Sequence, residues 1–351
     1  MRKVDLSMIL PDMRLGKSIY HYNQLLLTAG INNISRFSDS LLKLGITSIY
    51  VEDEISTDIE ITDAISDVTR LKCKDALQNA INRFRVQGSF DMCSISEATS
   101  SLIDEILLRP DVLICLNDIA TTDDSTLVHS INTTVFSLLI GQQLKLSRIE
   151  LKSLAEGTIL HDIGKTLVDP NVLFKNGRLN DEEFAIVKQH TIAGYELLKT
   201  NPLLTELSRI ISLQHHERLD GSGYPYGLTD KEIHPFAKIV AIADMYDALT
   251  AERCYRKSLT NNQAYQILAK ESTVKLDAHL LGQFLKHIAI YPNGTLVNLS
   301  DGTRGIIKSQ NPGIPFSPVV MVLNAINDKD VRLYDLDLSS TFNITILNSD
   351  E

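Results

Sequence analysis

The hydrophobic pattern changes character along the chain. Residues 1 to about 55 mix short apolar runs with turn residues, which predicts a small α+β module. It contains a predicted hairpin over 16–27 and a strand over 48–51 that follows a short helix closing at Gly45. From Ile61 onward, apolar residues recur at three to six positions, mostly on one helical face. We expect a linker helix there that packs on a helix of this chain or of a second copy.

Nearly every segment between 98 and 290 has helical periodicity. Asn180 and Glu183 predict a capping box that opens a helix running to about Thr200, and Pro235 fits the first turn of a helix over 236–251. After residue 291 the pattern changes to strand-like runs at 295–299, 305–308, 319–323 and 342–347.

We therefore predict a mainly α protein with small sheets at both ends. The expected parts are a small α+β N-terminal module (1–60), a helical linker (61–97), a helical domain (98–290) and a small β-rich C-terminal extension (291–351).

Composition narrows the classes of function. The net charge of -10 gives the 351-residue chain no broad attraction for a nucleic-acid polymer or an anionic membrane, although a local basic site could still bind a small anion. The four cysteines form no C-x-x-C pair, which is typical of reduced thiols. No apolar run is long enough for a secretion signal or a membrane span. We expect a cytoplasmic protein.

Histidines and aspartates in the helical region are the candidates for chemistry. His161 and Asp162 are adjacent at the end of a helix predicted to begin near Ser147, so their side chains leave the backbone about 100° apart and could grip one ion. Asp162 has two carboxylate oxygens and could also bridge to a second ion. His215 and His216 follow a buried helix, where the alternative is a pair of satisfied surface histidines.

Asp244 lies in a strongly apolar helical segment. Burying an unpaired carboxylate is costly, so a cation or several hydrogen-bond donors must meet it. Metal ligation would satisfy this requirement directly. Asp247, three residues on, is predicted to be a hydrogen-bonding partner rather than a ligand.

These residues occur in a particular order. His129 is followed by HDIGK at 161–165, His190, HHERLDGSGYP at 215–225 and DMYDALTAERCYR at 244–256. The series resembles the HD-GYP family, a branch of the HD-domain phosphohydrolases whose members hydrolyse cyclic di-GMP, and it covers about 125–290. The resemblance implies that the helical domain is an HD-domain bundle.

The resemblance also implies a centre of two divalent metal ions, with Fe or Mn expected. One ion would be held by His129, His161, Asp162 and Asp244. Asp162 would bridge to a second ion held by His190, His215 and His216. Some family members bind a third metal through a glutamate at the position of Ser125 here, so this sequence supports a dinuclear site rather than a trinuclear one.

Substrate contacts are implied for three motifs. Asp162 and Lys165 would act in catalysis, and the residues that bind substrate would be Lys165, Gly223, Tyr224, Pro225, Arg253 and Arg256. Cys254 replaces the more usual proline of the R-x-Y-R segment, which should change loop stiffness more than charge. Two roles remain open for Tyr224, which either lines the substrate groove or only braces its glycine-containing loop.

The implied activity is metal-dependent hydrolysis of cyclic di-GMP to linear pGpG, with further cleavage to GMP left open. Two cations would share a water molecule and lower its pKa, while Lys165, Arg253 and Arg256 would offset charge on the phosphate. Two alternatives are hydrolysis of another nucleotide, such as cyclic GMP-AMP or a nucleoside polyphosphate, and a catalytically silent module that binds a dinucleotide. The complete set of seven ligands weighs against the silent module. A homodimer is left open.

Overall fold

The computed structural model describes residues 1–21, 24–61, 63–88, 90–108, 125–175, 177–251, 259–326 and 329–350. This part of the chain is mainly helical, with small sheets near its two ends, which confirms the predicted fold class. Across these ranges, we find no helix with the length and apolar character needed to cross a membrane.

The N-terminal strands form a three-stranded antiparallel sheet and a separate hairpin. The elements are β1 (Arg2–Asp5), β2 (Arg14–Leu15), β3 (Ile19–His21), β4 (Gln24–Leu27), α1 (Ser38–Lys43) and β5 (Ser48–Glu52). The sheet has the order β1-β5-β2, and β3 pairs with β4. Helix α1 stops before Gly45, whose φ of 80° is in the left-handed region that glycine adopts easily. The predicted hairpin, short helix and strand are therefore confirmed.

The long linker helix α2 (Asp67–Gln87) begins later than the sequence predicts. Ser66 caps it, because its side chain accepts a hydrogen bond from the Thr69 N–H. Ile61 instead lies in an apolar cluster with residues of the C-terminal sheet. Val68 is one of the apolar residues that recur from Ile61 onward, but it is 76% exposed and does not lie on the buried face. The face that is buried packs on α3 (Met92–Leu107), so α2 has a partner helix within its own chain.

The central bundle contains the helices that carry the predicted motifs. They are α4 (Ser125–Gln143), α5 (Arg148–Ile159), α6 (Pro170–Leu173), α7 (Asp181–Lys188), α8 (His190–Lys199), α9 (Glu206–Gln214), α10 (Pro235–Thr250), α11 (Asn261–Glu271) and α12 (Ala278–Leu285). At its core, the rings of Phe136, Tyr246 and Phe284 pack edge to face with centroids 5.0 to 5.5 Å apart. Helix α10 starts at Pro235, as predicted.

One predicted helix is in fact two. The capping box of Asn180 and Glu183 opens α7 as predicted, but the chain turns at Gln189 and restarts as α8. The break places His190 at the first position of α8, with its side chain only 1% exposed. Periodicity alone does not reveal it, because Gln189 keeps right-handed helical backbone angles.

The C-terminal strands form one antiparallel sheet in the order β10-β6-β7-β8-β9. They are β6 (Leu296–Leu299), β7 (Arg304–Ser309), β8 (Val319–Ile326), β9 (Lys329–Asp337) and β10 (Ile346–Asp350). Strand β9 was not predicted, because this edge strand interleaves charged and half-exposed apolar residues and has no apolar run. The last predicted strand started too early, since Phe342 is 92% exposed and β10 begins at Ile346.

Candidate metal centre

The seven side chains predicted as metal ligands meet inside the bundle. They come from helix α4 (His129), the turn after α5 (His161, Asp162), the start of α8 (His190), the end of α9 (His215, His216) and the middle of α10 (Asp244). All are buried except His216, whose side chain is 17% exposed. The positions are far apart in sequence, so packing of the helices must bring them together.

Glycines allow these elements to approach closely. A Cβ atom at Gly164 would lie 1.9 Å from the backbone oxygen of His190, and one at Gly194 would lie 2.4 Å from Ser212 Oγ. Ser212 Oγ in turn donates a hydrogen bond to the His161 carbonyl at 2.8 Å. The turn after α5, the start of α8 and the end of α9 are therefore held together with no room for larger side chains.

The potential ligand atoms fall into two groups, and within each group they lie no more than 4.8 Å apart. The first group contains His129, His161 and Asp244. The second contains Asp162, His190, His215 and His216.

Asp162 faces both groups. Its Oδ2 lies 3.5 Å from His161 Nε2 and 3.8 Å from His129 Nε2. Its Oδ1 lies 3.3 Å from His190 Nε2 and 3.7 Å from His215 Nε2. One carboxylate thus presents a different oxygen to each group, which is the arrangement of a bridging ligand.

Backbone carbonyls set the orientation of three histidine rings. The Nδ1–H groups of His161, His190 and His215 donate to carbonyl oxygens of their own helical turns at 2.6 to 3.0 Å. Because a carbonyl can only accept, each Nε2 carries a free lone pair that points into the site. The three Nε2 atoms and Asp162 Oδ1 are buried and have no hydrogen-bond partner within the described ranges. Bound cations would satisfy all four atoms, so the residues fit a metal centre.

His129 is held by two carboxylates. Its Nδ1 lies 2.6 Å from Asp247 Oδ2, and its Nε2 lies 3.1 Å from Asp244 Oδ1. Asn132 fixes Asp247 by donating to its other oxygen at 2.9 Å, so Asp247 is the hydrogen-bonding partner that the sequence predicts. Burial opposes a charge on His129, but Asp244 and Asp247 outweigh it and raise its pKa to about 10. The two carboxylates therefore favour a positive charge at His129 Nε2, whether it comes from a proton or from a metal ion.

Electrostatics keep Asp162, Asp244 and His161 in the protonation states that metals require. Burial alone would raise the pKa of both carboxyl groups. Lys165 and nearby histidines nevertheless hold the pKa of Asp162 well below the usual range, and histidines, chiefly His129, do the same for Asp244. Burial lowers the pKa of His161 to about 3. The site therefore presents carboxylates together with neutral imidazole, the forms that bind divalent ions.

Two predicted substrate residues lie at the opening of this site. Lys165, 27% exposed at its side chain, donates from Nζ to Asp162 Oδ2 at 2.5 Å. The Tyr224 ring lies 4.6 Å from the His216 ring at an angle of 32°, and its backbone N–H donates to the His216 carbonyl. Burial raises the pKa of the Tyr224 hydroxyl, so the phenol is neutral.

Glu217, which was not predicted as a functional residue, holds the Gly223-Tyr224-Pro225 loop. Glu217 is 2% exposed, and its two carboxylate oxygens accept hydrogen bonds from the N–H groups of Tyr226 (2.8 Å) and Leu228 (2.9 Å). A Cβ at Gly223 would lie 2.4 Å from the Glu217 Cα, so the loop lies directly on this residue. In sequence, Glu217 stands beside Arg218 in a polar stretch, which is typical of a surface residue.

Some predicted positions lie outside the described residues. These are Arg253, Cys254 and Arg256, together with the side chain of Ser125. Pro225 belongs to the loop described above, where it follows Tyr224. His234 is not part of either group, because its Nδ1 accepts a hydrogen bond from the Phe236 N–H and caps helix α10.

Comparison with known proteins gives a family for this arrangement. A model of the HD domain family matches residues 106–280. A cyclic di-GMP phosphodiesterase of Pseudomonas aeruginosa is 31% identical over 258 residues, which are 74% of this chain and 62% of that protein. The 3'3'-cGAMP-specific phosphodiesterase 3 of Vibrio cholerae is 26% identical over 291 residues, 81% of this chain and 60% of that protein. The chain thus spans less than two thirds of either relative's length.

Among solved structures, an HDG"Y"P protein from Bdellovibrio bacteriovorus matches 80% of this chain and 97% of its own, with a TM-score of 0.51. At 19% sequence identity, this match shows the shared fold alone. The family model covers the helices that carry both groups of ligand atoms, and the chain has the HDIGK and Gly223-Tyr224-Pro225 motifs at that site. Residues 106–280 of this chain are an HD domain, and they carry the motifs of its HD-GYP branch.

Proposed function

We propose that the chain is a metal-dependent phosphodiesterase that hydrolyses cyclic di-GMP to pGpG. The observation that carries the proposal is Asp162, which directs one oxygen toward each of two ligand groups. Among the described residues, the buried Nε2 atoms of His161, His190 and His215 in these groups have no hydrogen-bond partner. Phosphodiester hydrolysis needs an activated water molecule and groups that stabilise negative charge on the phosphoryl oxygens. Paired divalent ions supply both when bound.

We assign His129, His161, Asp162 and Asp244 to one ion, and Asp162, His190, His215 and His216 to the other. The mixture of imidazole and carboxylate donors suits Fe or Mn better than an all-oxygen cation such as Mg²⁺. Asp247 orients His129, and the backbone carbonyls orient the other buried rings, so the ligands are preorganised.

Substrate contacts are assigned to the opening of the site. The Lys165 ammonium lies beside Asp162 and would offset the charge that develops on a phosphoryl oxygen. Gly223, Tyr224 and Pro225 would form one wall of the groove, with the Tyr224 ring beside the ligand His216. Arg253 and Arg256 are assigned to substrate phosphates on the resemblance of their motif alone.

Cyclic GMP-AMP is a second candidate substrate. One curated relative that aligns with 81% of this chain is named as specific for 3'3'-cGAMP. The two cyclic dinucleotides differ in one purine base, so the metal centre cannot separate them and discrimination must come from residues that contact the bases.

The test is turnover of defined substrates by the purified chain. Protein loaded anaerobically with Fe²⁺, or with Mn²⁺, is incubated with cyclic di-GMP, 3'3'-cGAMP and pGpG, and the products are separated by chromatography. We expect two ions per chain by elemental analysis and conversion of cyclic di-GMP to pGpG. Release of GMP from added pGpG would show that the reaction continues.

The outcomes separate the candidate functions. Faster cleavage of 3'3'-cGAMP than of cyclic di-GMP would favour the second substrate. Protein that carries two ions but cleaves neither dinucleotide would contradict the proposed activity, and cyclic dinucleotide binding without turnover would indicate a silent binding module.

A further inference from the structure

A lysine that pairs with no carboxylate of the described residues lies at the edge of the proposed metal centre. Lys188 is the last residue of α7, and its Nζ lies 4.6 Å from the Phe184 ring centroid and 5.4 Å from that of Tyr224. In the portion of the chain that the structure describes, no carboxylate forms a salt bridge with it. It is thus a cation held over two aromatic faces with its charge uncompensated.

The aromatic rings connect this lysine to the metal ligands. Phe184 and Tyr224 meet edge to face with centroids 6.2 Å apart, and Tyr224 lies 4.6 Å from the ring of His216. Phe184 is 43% exposed. The rings and the ammonium therefore form a half-open surface that begins at a metal ligand and extends outward along α7.

The chemistry of this surface matches the part of a cyclic dinucleotide that lies away from the cleaved bond. Such a substrate has two phosphates and two purine bases, so most of it must lie along the rim while one phosphate is at the metals. Aromatic faces stack on bases, and an uncompensated ammonium pairs with a phosphate or a purine oxygen. Resting on the proposed function, we propose that Phe184 and Lys188 form a substrate subsite that determines affinity for the non-cleaved half of the dinucleotide.

A purely structural role for the same contact makes a different prediction. Phe184 and Lys188 are four residues apart on one helix, and such pairs stabilise helices slightly. Helix α8 contains a matched pair, since Lys199 Nζ lies 5.8 Å from the ring of Tyr195. Lys199 is nine residues from His190, about 13 Å along the helix. Lys199→Met therefore removes a comparable contact away from the site.

The experiment compares Lys188→Met, Lys188→Arg, Phe184→Leu and Lys199→Met. For each variant, kcat and KM are measured with cyclic di-GMP, the metal content is determined, and hydrolysis of bis(4-nitrophenyl) phosphate is followed. This small diester reaches the metals but has neither a purine base nor a second phosphate.

For Lys188→Met we expect KM for cyclic di-GMP to rise about tenfold, with kcat, metal content and hydrolysis of the small diester unchanged. Lys188→Arg should recover most of the affinity, and Phe184→Leu should raise KM about fivefold. Lys199→Met should have the same kcat, KM and metal content as the wild type.

The subsite would be overturned if Lys188→Met left KM for cyclic di-GMP unchanged. It would also be overturned if the variant lost activity equally with cyclic di-GMP and with bis(4-nitrophenyl) phosphate. If the wild type hydrolyses bis(4-nitrophenyl) phosphate but neither binds nor cleaves a cyclic dinucleotide, the proposed function fails. A wild type that cleaves cyclic di-GMP with Lys188 variants unaffected overturns only the present inference.

Discussion

The inner wall and the rim of the metal centre are built differently. The inner wall consists of Asp162, His161, His190 and His215, whose side chains are at most 3% exposed. Backbone carbonyls hold the three histidine rings, and Lys165 contacts Asp162. The rim consists of Lys165, Lys188 and Tyr224, which lie at the opening of the site, and Lys165 is 27% exposed. The wall fixes lone pairs at defined positions, whereas the rim keeps positive charge and aromatic faces within reach of a substrate. Damage to the wall should therefore remove metal, and damage to the rim should mainly raise KM.

The largest effect is expected for Asp162→Ala. Because each oxygen faces one ligand group, its removal should lower the affinity for both ions together and reduce kcat by about 1000-fold or more. Elemental analysis of the variant should find less than one ion per chain. Two retained ions would show that Asp162 does not bridge.

Asp169→Ala is the matched control for this loss. Asp169 is exposed and caps the short helix α6 a few residues further along the chain, so it contributes a carboxylate without facing the ligands. Its variant should keep full metal content. Loss of metal from both variants would mean that the segment after α5, rather than the bridging oxygen, governs retention.

Gly164→Ala tests whether close packing sets the geometry of the wall. A methyl group there would meet the His190 carbonyl at 1.9 Å, so the turn after α5 and helix α8 must separate. We expect the free energy of unfolding to fall by about 2–3 kcal/mol and kcat to fall about 100-fold. Thermal denaturation and metal analysis measure the two effects.

Gly282→Ala is the control, because a Cβ at this position in α12 meets nothing within 4 Å. Alanine in a helix interior should stabilise the protein by about 0.5–1 kcal/mol relative to glycine. If Gly164→Ala keeps the stability, metal content and kcat of Gly282→Ala, the close approach of the turn after α5 to α8 is not required for stability or activity.

The sequence predicts the residues whose type alone is unusual in their segment, and it does not predict residues whose role depends on their partners in the fold. The ligand residues stand out because histidines and aspartates are rare in apolar helices, and their order along the chain is specific. Glu217 and Asn132 did not stand out, because their roles depend on which backbone group or carboxylate meets them after folding. In the same way, the break at Gln189 keeps helical angles, and β9 lacks the apolar run of a buried strand.

Glu217→Gln tests the support of the rim. Glutamine keeps the size but offers one acceptor oxygen, so the N–H of Tyr226 or of Leu228 would face an amide group and lose its partner. An unpaired buried donor costs about 1–3 kcal/mol, which should displace the Tyr224 loop. We expect KM to rise about tenfold with metal content unchanged.

Glu232→Gln provides the comparison, since Glu232 is exposed and also accepts from a backbone N–H, that of Thr229. Water can replace that hydrogen bond, so kcat and KM of Glu232→Gln should equal those of the wild type. Loss of metal in Glu217→Gln would contradict the separation of wall and rim, because His216 would then depend on the loop.

The smallest effect is expected far from the ions, at Arg70. Its Nη1 donates to Asn132 Oδ1 at 3.2 Å, Asn132 donates to Asp247 at 2.9 Å, and Asp247 holds His129 at 2.6 Å. This series of hydrogen bonds joins the linker helix α2 to the proposed metal ligand His129. Arg70→Met should leave Asn132 less restrained and weaken metal retention about threefold, since losing a more direct outer partner typically costs about 10–100-fold.

Competition of Mn²⁺ with a chelator measures this retention in Arg70→Met against Lys72→Met. Lys72 also joins α2 to its neighbour, through a hydrogen bond from Nζ to Ser101 Oγ at 3.1 Å, and that contact is exposed. If the substitutions act by loosening α2, both variants should retain Mn²⁺ less well than the wild type. If Arg70 acts by orienting His129 through Asn132, only Arg70→Met should retain it less well. Equal retention in the two variants would show that the support of His129 ends at Asp247, so that α2 contributes packing but does not influence the metals.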